Sequence, residues 1–294
     1  MVNLFRAEWT KIAGHRWLTG FLIWIFPIGA VAFTVVLSII LALSESARTS
    51  FSADTVTWTE TLTGAWSFLN NPLGRLLLIG FTAVMFAGEY QWQTWKNLIP
   101  RNRRVALIVI KFLALSVFVV VAFALMSVLL TAGMGLLRAI AGASYGPEIT
   151  GDVLRTTASD YARSAGLGFL STLIAAGYAA LAGMLTRSIL GGVLVAYGLT
   201  ILENLLLVGL ILIAYFLDFR DIVHIYRLTP GYNLLNLDSW FRVGHSAPFE
   251  VMFGADDALV VRDSAEFSAL VIAVWVIGLI SLTIFLFRRQ DITS

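Results

Sequence analysis

Six apolar stretches constrain this chain more than anything else in it. They are read at about 17–43, 73–87, 105–137, 164–185, 189–217 and 268–287. A helix needs about 20 mostly apolar residues to cross a bilayer. In lipid the backbone must satisfy its own hydrogen bonds, and the alternating pattern of barrel strands is absent here. The expected fold is therefore all-α and polytopic, a single transmembrane domain over 1–294 with six transmembrane helices. Composition agrees: 13% of the residues are charged, against roughly 25% in soluble domains. Mean hydropathy is +0.85.

The stretches differ in ways that matter. The first is longer than a signal-peptide core of roughly 7–15 residues and reads as an uncleaved anchor containing Pro27. The third, at 33 residues, would be roughly 50 Å long against a hydrocarbon core of ~30 Å. Its start, around 104–111, is expected to project into water. The fourth is rich in Gly and Ala, which lets helices approach closely in lipid.

Charge sets the orientation. Eleven basic residues, including all three lysines, and three acids fall on the side of the two termini. Nine arginines and fourteen acids fall on the other. The positive-inside rule then places both termini and the 88–104 loop in the cytoplasm. The polar loops 44–72 and 138–163, and the long segment 218–267, fall outside. That segment holds Pro230-Gly231 and Trp240-Phe241, and reads either as re-entrant helices or as a surface cap. Residues 1–18 read as an amphipathic helix lying on the bilayer surface. Val2, Phe5, Trp9, Ile12 and Ala13 are placed on its apolar face, with Asn3, Glu8, Thr10, Lys11 and His15 opposite.

The enzyme classes fail. There is no H-E-x-x-H or G-x-S-G motif and no phosphate-binding loop. With no cysteine there is no thiolate ligand or nucleophile. No catalytic or metal-binding residue is assigned. The pI near 9.0 reflects a net charge of only +2 and implies no nucleic-acid partner. One acid, Glu203, falls inside an apolar stretch next to Asn204. An intramembrane acid suggests a translocation pathway or proton coupling, or else a structural hydrogen bond to a neighbouring helix.

The stretch Gly88–Lys111, GEYQWQTWKNLIPRNRRVALIVIK, carries two of the three lysines. Trp92, Trp95 and Ile99 are spaced as one face of a short helix, which Pro100 would end. Topology alone explains a basic loop between spans. Such a helix at the membrane surface can also be pushed on by a partner.

This stretch resembles the permease subunits of ABC-2 type ATP-binding cassette transporters, especially bacterial antibiotic and lantibiotic-immunity exporters. The pattern is met by Glu89-Tyr90, Thr94, Lys96, Leu98-Ile99, Pro100, Arg103 and Lys111. It is supported by Glu8, Lys11 and Arg16-Trp17 before the first span, and by Arg288-Arg289 with Asp291 after the last. The chain departs from it at Gln93, where the family has Gly, and is one residue short before the proline.

The resemblance implies a permease of an exporter in a bacterial cytoplasmic membrane, moving an amphiphilic substrate such as a peptide antibiotic, drug or lipid. Its partners would be two copies of an ATP-binding subunit carrying ATP and Mg, a second permease in a homodimer, and the lipid bilayer. The chain itself would bind no cofactor. Glu89, Tyr90, Trp92, Thr94, Trp95, Lys96, Arg101 and Arg103 would form the coupling helix that meets the ATP-binding subunit. Glu8, Trp9 and Lys11 on the N-terminal interfacial helix would assist, and movement would pass to the second and third spans. The alternative is a stand-alone secondary transporter or channel-like protein built on Glu203 and Asn204.

Overall fold

A computed structural model describes residues 2–15, 20–98, 103–247, 249–253 and 258–291, with only the backbone of Gly20, Phe21 and Asn97. Helix α1, Val2–Gly14, is followed by a π-helical turn, Gly20–Trp24, that runs into α2, Ile25–Leu43. Two short helices, α3 (Glu45–Ala53) and α4 (Trp58–Gly64), and a 3-10 turn (Ala65–Asn70) lead to α5, Pro72–Gln91. A single turn, α6 (Trp95–Leu98), precedes α7 (Arg104–Ile140), α8 (Gly151–Thr186) and α9 (Ile189–Leu217). Then come a 3-10 stretch (Arg220–Leu228), α10 (Pro230–Val243), an antiparallel hairpin of β1 (Phe249–Met252) and β2 (Ala258–Val261), and α11, Ala265–Arg289. Among the described residues, six helices are long and apolar enough to cross a membrane: Leu22–Leu43, α5, α7, α8, α9 and α11. The fold is all-α and polytopic.

The chain divides into two compact units, Met1–Phe81 with Val109–Phe169, and Thr82–Ile108 with Leu170–Ser294. The first has an aromatic core. Phe26 meets Phe123 at 4.7 Å and Phe68 at 5.9 Å between ring centres, and the buried Trp66 lies 5.6 Å from Phe123.

The segment expected as a polar loop over 44–72 is largely helical. The Ser44 hydroxyl caps α3 by accepting from the Ala47 N–H, and Thr57 and Glu60 cap α4 reciprocally. Arg138 fastens this segment from the end of α7. Its guanidinium donates to the Phe51 and Asp54 carbonyls at 2.8 Å each and to that of Ser144 at 2.9 Å.

The expected 138–163 loop is corrected as well. α7 runs on to Ile140, and α8 begins at Gly151, well before the apolar stretch read from 164. Its polar first turns are held by Asp152 near the helix N-terminus, by an Asp160–Arg163 pair at 3.3 Å, and by Tyr161 packed edge-on to Trp66.

In the second unit, Ala175, Ala176, Ala179 and Ala180 of α8 are fully buried. A Cβ at Gly177 would stand 2.8 Å from Leu279 Cβ, so α8 and α11 touch only because that carbon is missing. The segment between α9 and α11 folds against both helices. Val223 and Val251 pack on Ala214 of α9 with Phe249 and Leu259 around them. Asp263 organises its polar side. Its carboxylate accepts from the Arg227 guanidinium and, at 2.8 Å, from the Tyr232 hydroxyl. Its carbonyl accepts from Asn236 Nδ2 and Trp240 Nε1 at 3.0 Å each.

Leu194, Leu202 and Leu205 of α9, and Val274 and Ile277 of α11, are exposed. Such apolar surface suits hydrocarbon rather than water.

Candidate functional site

The stretch after Gly88 is where the sequence concentrates its functional candidates, and its local geometry differs from the amphipathic helix expected there. α5 does not stop at residue 87 but continues through Glu89 and Tyr90 to Gln91. Trp92–Thr94 then form a turn in which Gln93 takes φ +54, the left-handed region that glycine enters most cheaply. The turn closes on itself. Thr94 N–H donates to the Glu89 carbonyl at 3.0 Å, and the Thr94 hydroxyl donates to the Glu89 carboxylate. α6 starts only at Trp95.

This turn separates the two tryptophans that spacing placed on one face. Trp92 folds back over Gly88, where an added Cβ would meet its ring at 2.7 Å, and remains 44% exposed. Trp95 is 1% exposed, with its ring 4.4 Å from Phe287 and 5.9 Å from Tyr90. Glu89 is fully buried, while Lys96 and Arg103 are exposed. Ile99, Pro100 and Arg101 lie outside the described residues, as do Arg16 and Trp17.

Several helix ends meet here. The Tyr90 hydroxyl donates to Gln290 Oε1, and Gln290 Nε2 donates to the Met184 carbonyl near the end of α8 at 2.8 Å. Arg104, at the start of α7, places Nη1 within 3.0 Å of the Phe287 and Arg288 carbonyls and 2.8 Å of the Gln290 carbonyl. These carbonyls lie where the last turn of α11 lacks intrahelical donors. Arg187 lies over the Tyr90 ring at 5.9 Å. Glu89, Tyr90, Gln93, Trp95, Lys96, Arg187 and Asp291 line an open cleft of about 180 Å³. Sequence reasoning gave Met184, Phe287 and Gln290 no role in the site. It counted Arg104 and Arg187 only as loop charges.

The N-terminal candidates form a second cluster. Glu8 does not face water with the polar residues of α1, as expected. It is buried, with Oε1 2.5 Å from the Nζ of Lys111 on α7. Trp9 stacks on Phe118, also of α7, at 4.2 Å and an interplanar angle of 15°. The buried face of α1 centres on Glu8 and Ile12, and Ala13 is exposed. Lys11 lies on the outward side.

Glu203 is half-buried and holds a helix end. Its Oε1 accepts from the Gly231 N–H at 2.8 Å, and its Oε2 from the Tyr178 hydroxyl at 3.4 Å. Gly231 is the second residue of α10, so the carboxylate sits where unpaired N–H groups and the helix dipole favour negative charge. Burial, and then the charge of Glu203, push the neighbouring Tyr226 hydroxyl above its usual range. Asn204 is exposed.

Six apolar helices with a short, internally braced turn between the second and third define a multi-pass helical membrane protein. Residues 4–159, just over half the chain, match the family model described as ABC-2 family transporter protein. The chain belongs to that family and is a membrane permease of an ABC transporter. No curated protein and no solved structure matches it.

Proposed function

We propose that this permease is the export subunit of an ATP-driven pump in a bacterial cytoplasmic membrane, with both termini inside. A separate ATP-binding subunit carries ATP and Mg, in two copies, on a homodimer of this chain. The substrate is amphiphilic: a peptide antibiotic, drug or lipid. The 88–104 segment is the coupling element, and the 218–267 body faces outward.

The observation that carries this reading is the junction around Tyr90. The surface offered to a partner is Trp92, Lys96 and Arg103, which are exposed. Glu89, Tyr90, Thr94 and Trp95 lie behind it and position the turn. The turn is tied to α11 by Tyr90–Gln290 and Trp95–Phe287, and Arg104 ties the start of α7 to the same helix end. A push on the turn therefore loads the last span as well as the second and third. Nucleotide binding has only to favour one of two arrangements of these helix ends.

The stand-alone carrier reading has less support, because Glu203 is engaged with the start of α10.

The test is purification of the tagged chain from its host, with mass spectrometry of co-purifying proteins and an ATPase assay, on wild type and on Lys96→Glu and Trp92→Ala. The expected result is a soluble subunit with a phosphate-binding loop and ATPase activity, both reduced at least severalfold in the variants. A chain that crosslinks to no such subunit in membranes overturns the proposal.

A further inference from the structure

Glu8 is the only acid in the first 43 residues of the chain, and it points away from solvent onto Lys111. Among the described residues of α1, no other acid stands on its outward face. Along it, Asn3, Arg6, Ala7, Thr10 and Lys11 line an open groove of about 610 Å³. They are spaced three and four apart, so they stand side by side on adjacent turns. Ala7 and Thr10 are the small residues between the two long cations Arg6 and Lys11. The Thr10 hydroxyl donates to the Arg6 carbonyl at 2.8 Å, which fixes its orientation. At one end of the helix Val2 is 80% exposed. Beyond its other end lies the first apolar span.

A basic groove on a helix that exposes Val2 at its start and leads toward a membrane span matches a molecule that is anionic at one point and apolar at another. A soluble acidic protein would cover the charges but leave Val2 against water. A phospholipid satisfies both.

We infer that this groove binds the phosphate of an anionic phospholipid headgroup, with Arg6 and Lys11 supplying the charge. Glu8–Lys111 and Trp9–Phe118 clamp the same helix to α7 and so hold the groove in place.

The test uses the full-length protein in mild detergent with equal amounts of phosphatidylglycerol and phosphatidylcholine, read by native mass spectrometry of the retained lipids. Each basic side chain near a membrane surface is worth about fivefold in binding. With two such side chains the wild type is therefore expected to prefer phosphatidylglycerol by roughly 25-fold. Arg6→Gln with Lys11→Gln abolishes the preference, and Arg6→Lys with Lys11→Arg keeps it. If the double variant melts early, Arg6→Gln alone, at an exposed site, is expected to lower the preference several-fold. Equal retention of the two lipids by wild type, or an undiminished preference in the neutral variants, overturns the inference. So does a neutral variant that keeps its lipid preference but loses a co-purifying soluble subunit, which assigns the face to a protein instead.

Discussion

Glu8 and Lys111 are 103 residues apart in the chain and meet in a buried ion pair, with side-chain exposures of 10% and 1%. Removing one member of a buried pair leaves an uncompensated charge and costs about 3–5 kcal/mol, whereas replacing both by apolar side chains is often neutral. Lys111→Met alone is expected to lower the melting temperature strongly in detergent. Glu8→Leu combined with Lys111→Met is expected to recover most of that loss. A double variant as unstable as the single one would show that the pair is worth more than its geometry implies.

Gln93 occupies the left-handed region without being glycine. That conformation costs an ordinary residue about 1–2 kcal/mol, partly offset by the chain entropy that glycine loses on folding. Gln93→Gly should therefore raise stability by roughly 0.5–1 kcal/mol, and Gln93→Val should lower it. Thermal unfolding of the three proteins checks both signs.

The fold class was legible because a bilayer demands length and apolarity, and both are written plainly in the sequence. Helix ends were not. α8 extends 13 residues before the apolar stretch read from 164, because capping, dipole and a Trp66 contact continue a helix where hydrophobicity stops. Sorting α1 by polarity put Glu8 with the water-facing residues, since nothing local reveals a partner on another helix. Spacing put Trp92 and Trp95 on one face because a single left-handed residue at 93 leaves no periodic trace. The family resemblance was nearer the mark at that position. The glycine it expects falls where φ is positive. The Asp263 network was invisible, being assembled from side chains scattered over the chain from Arg227 to Trp240 with no repeating spacing.

Asp263 has a pH signature. Burial opposes its ionisation, but hydrogen bonds from Arg227 and Tyr232 and the nearby positive charge outweigh it, and its carboxyl is held below the usual range. A depressed folded-state pKa contributes stability above the unfolded value of about 3.9, and that contribution is lost as pH falls through the folded value. The body between α9 and α11 should therefore keep its structure at pH 5 and loosen below about pH 4. Pepsin cleavage near the hairpin, followed from pH 4 down to pH 2, reads this directly. Asp263→Asn should be cleaved more readily at pH 4 and show a weaker dependence below it. A wild type cut equally at both ends of that range would sink the assignment.

Arg104 and Lys96 lie within eight residues of each other yet should fail in different ways. Arg104 serves the carbonyls at the end of α11, groups that carry partial negative charge and otherwise depend on water. Arg104→Ala should cost about 1–2 kcal/mol and release the start of α7 from the last span, while Tyr90–Gln290 and Trp95–Phe287 still hold the turn there. Lys96 is exposed and lines the open cleft. Lys96→Glu should leave the melting temperature unchanged and instead weaken capture of the ATP-binding subunit, more so at low ionic strength, where exposed charges act over longer distances. Melting temperature and subunit capture, measured side by side on the two variants, separate the positioning role from the docking role. If Lys96→Glu melts early, or if Arg104→Ala loses capture with its stability intact, the division of the junction into an outer contact surface and an inner brace is wrong.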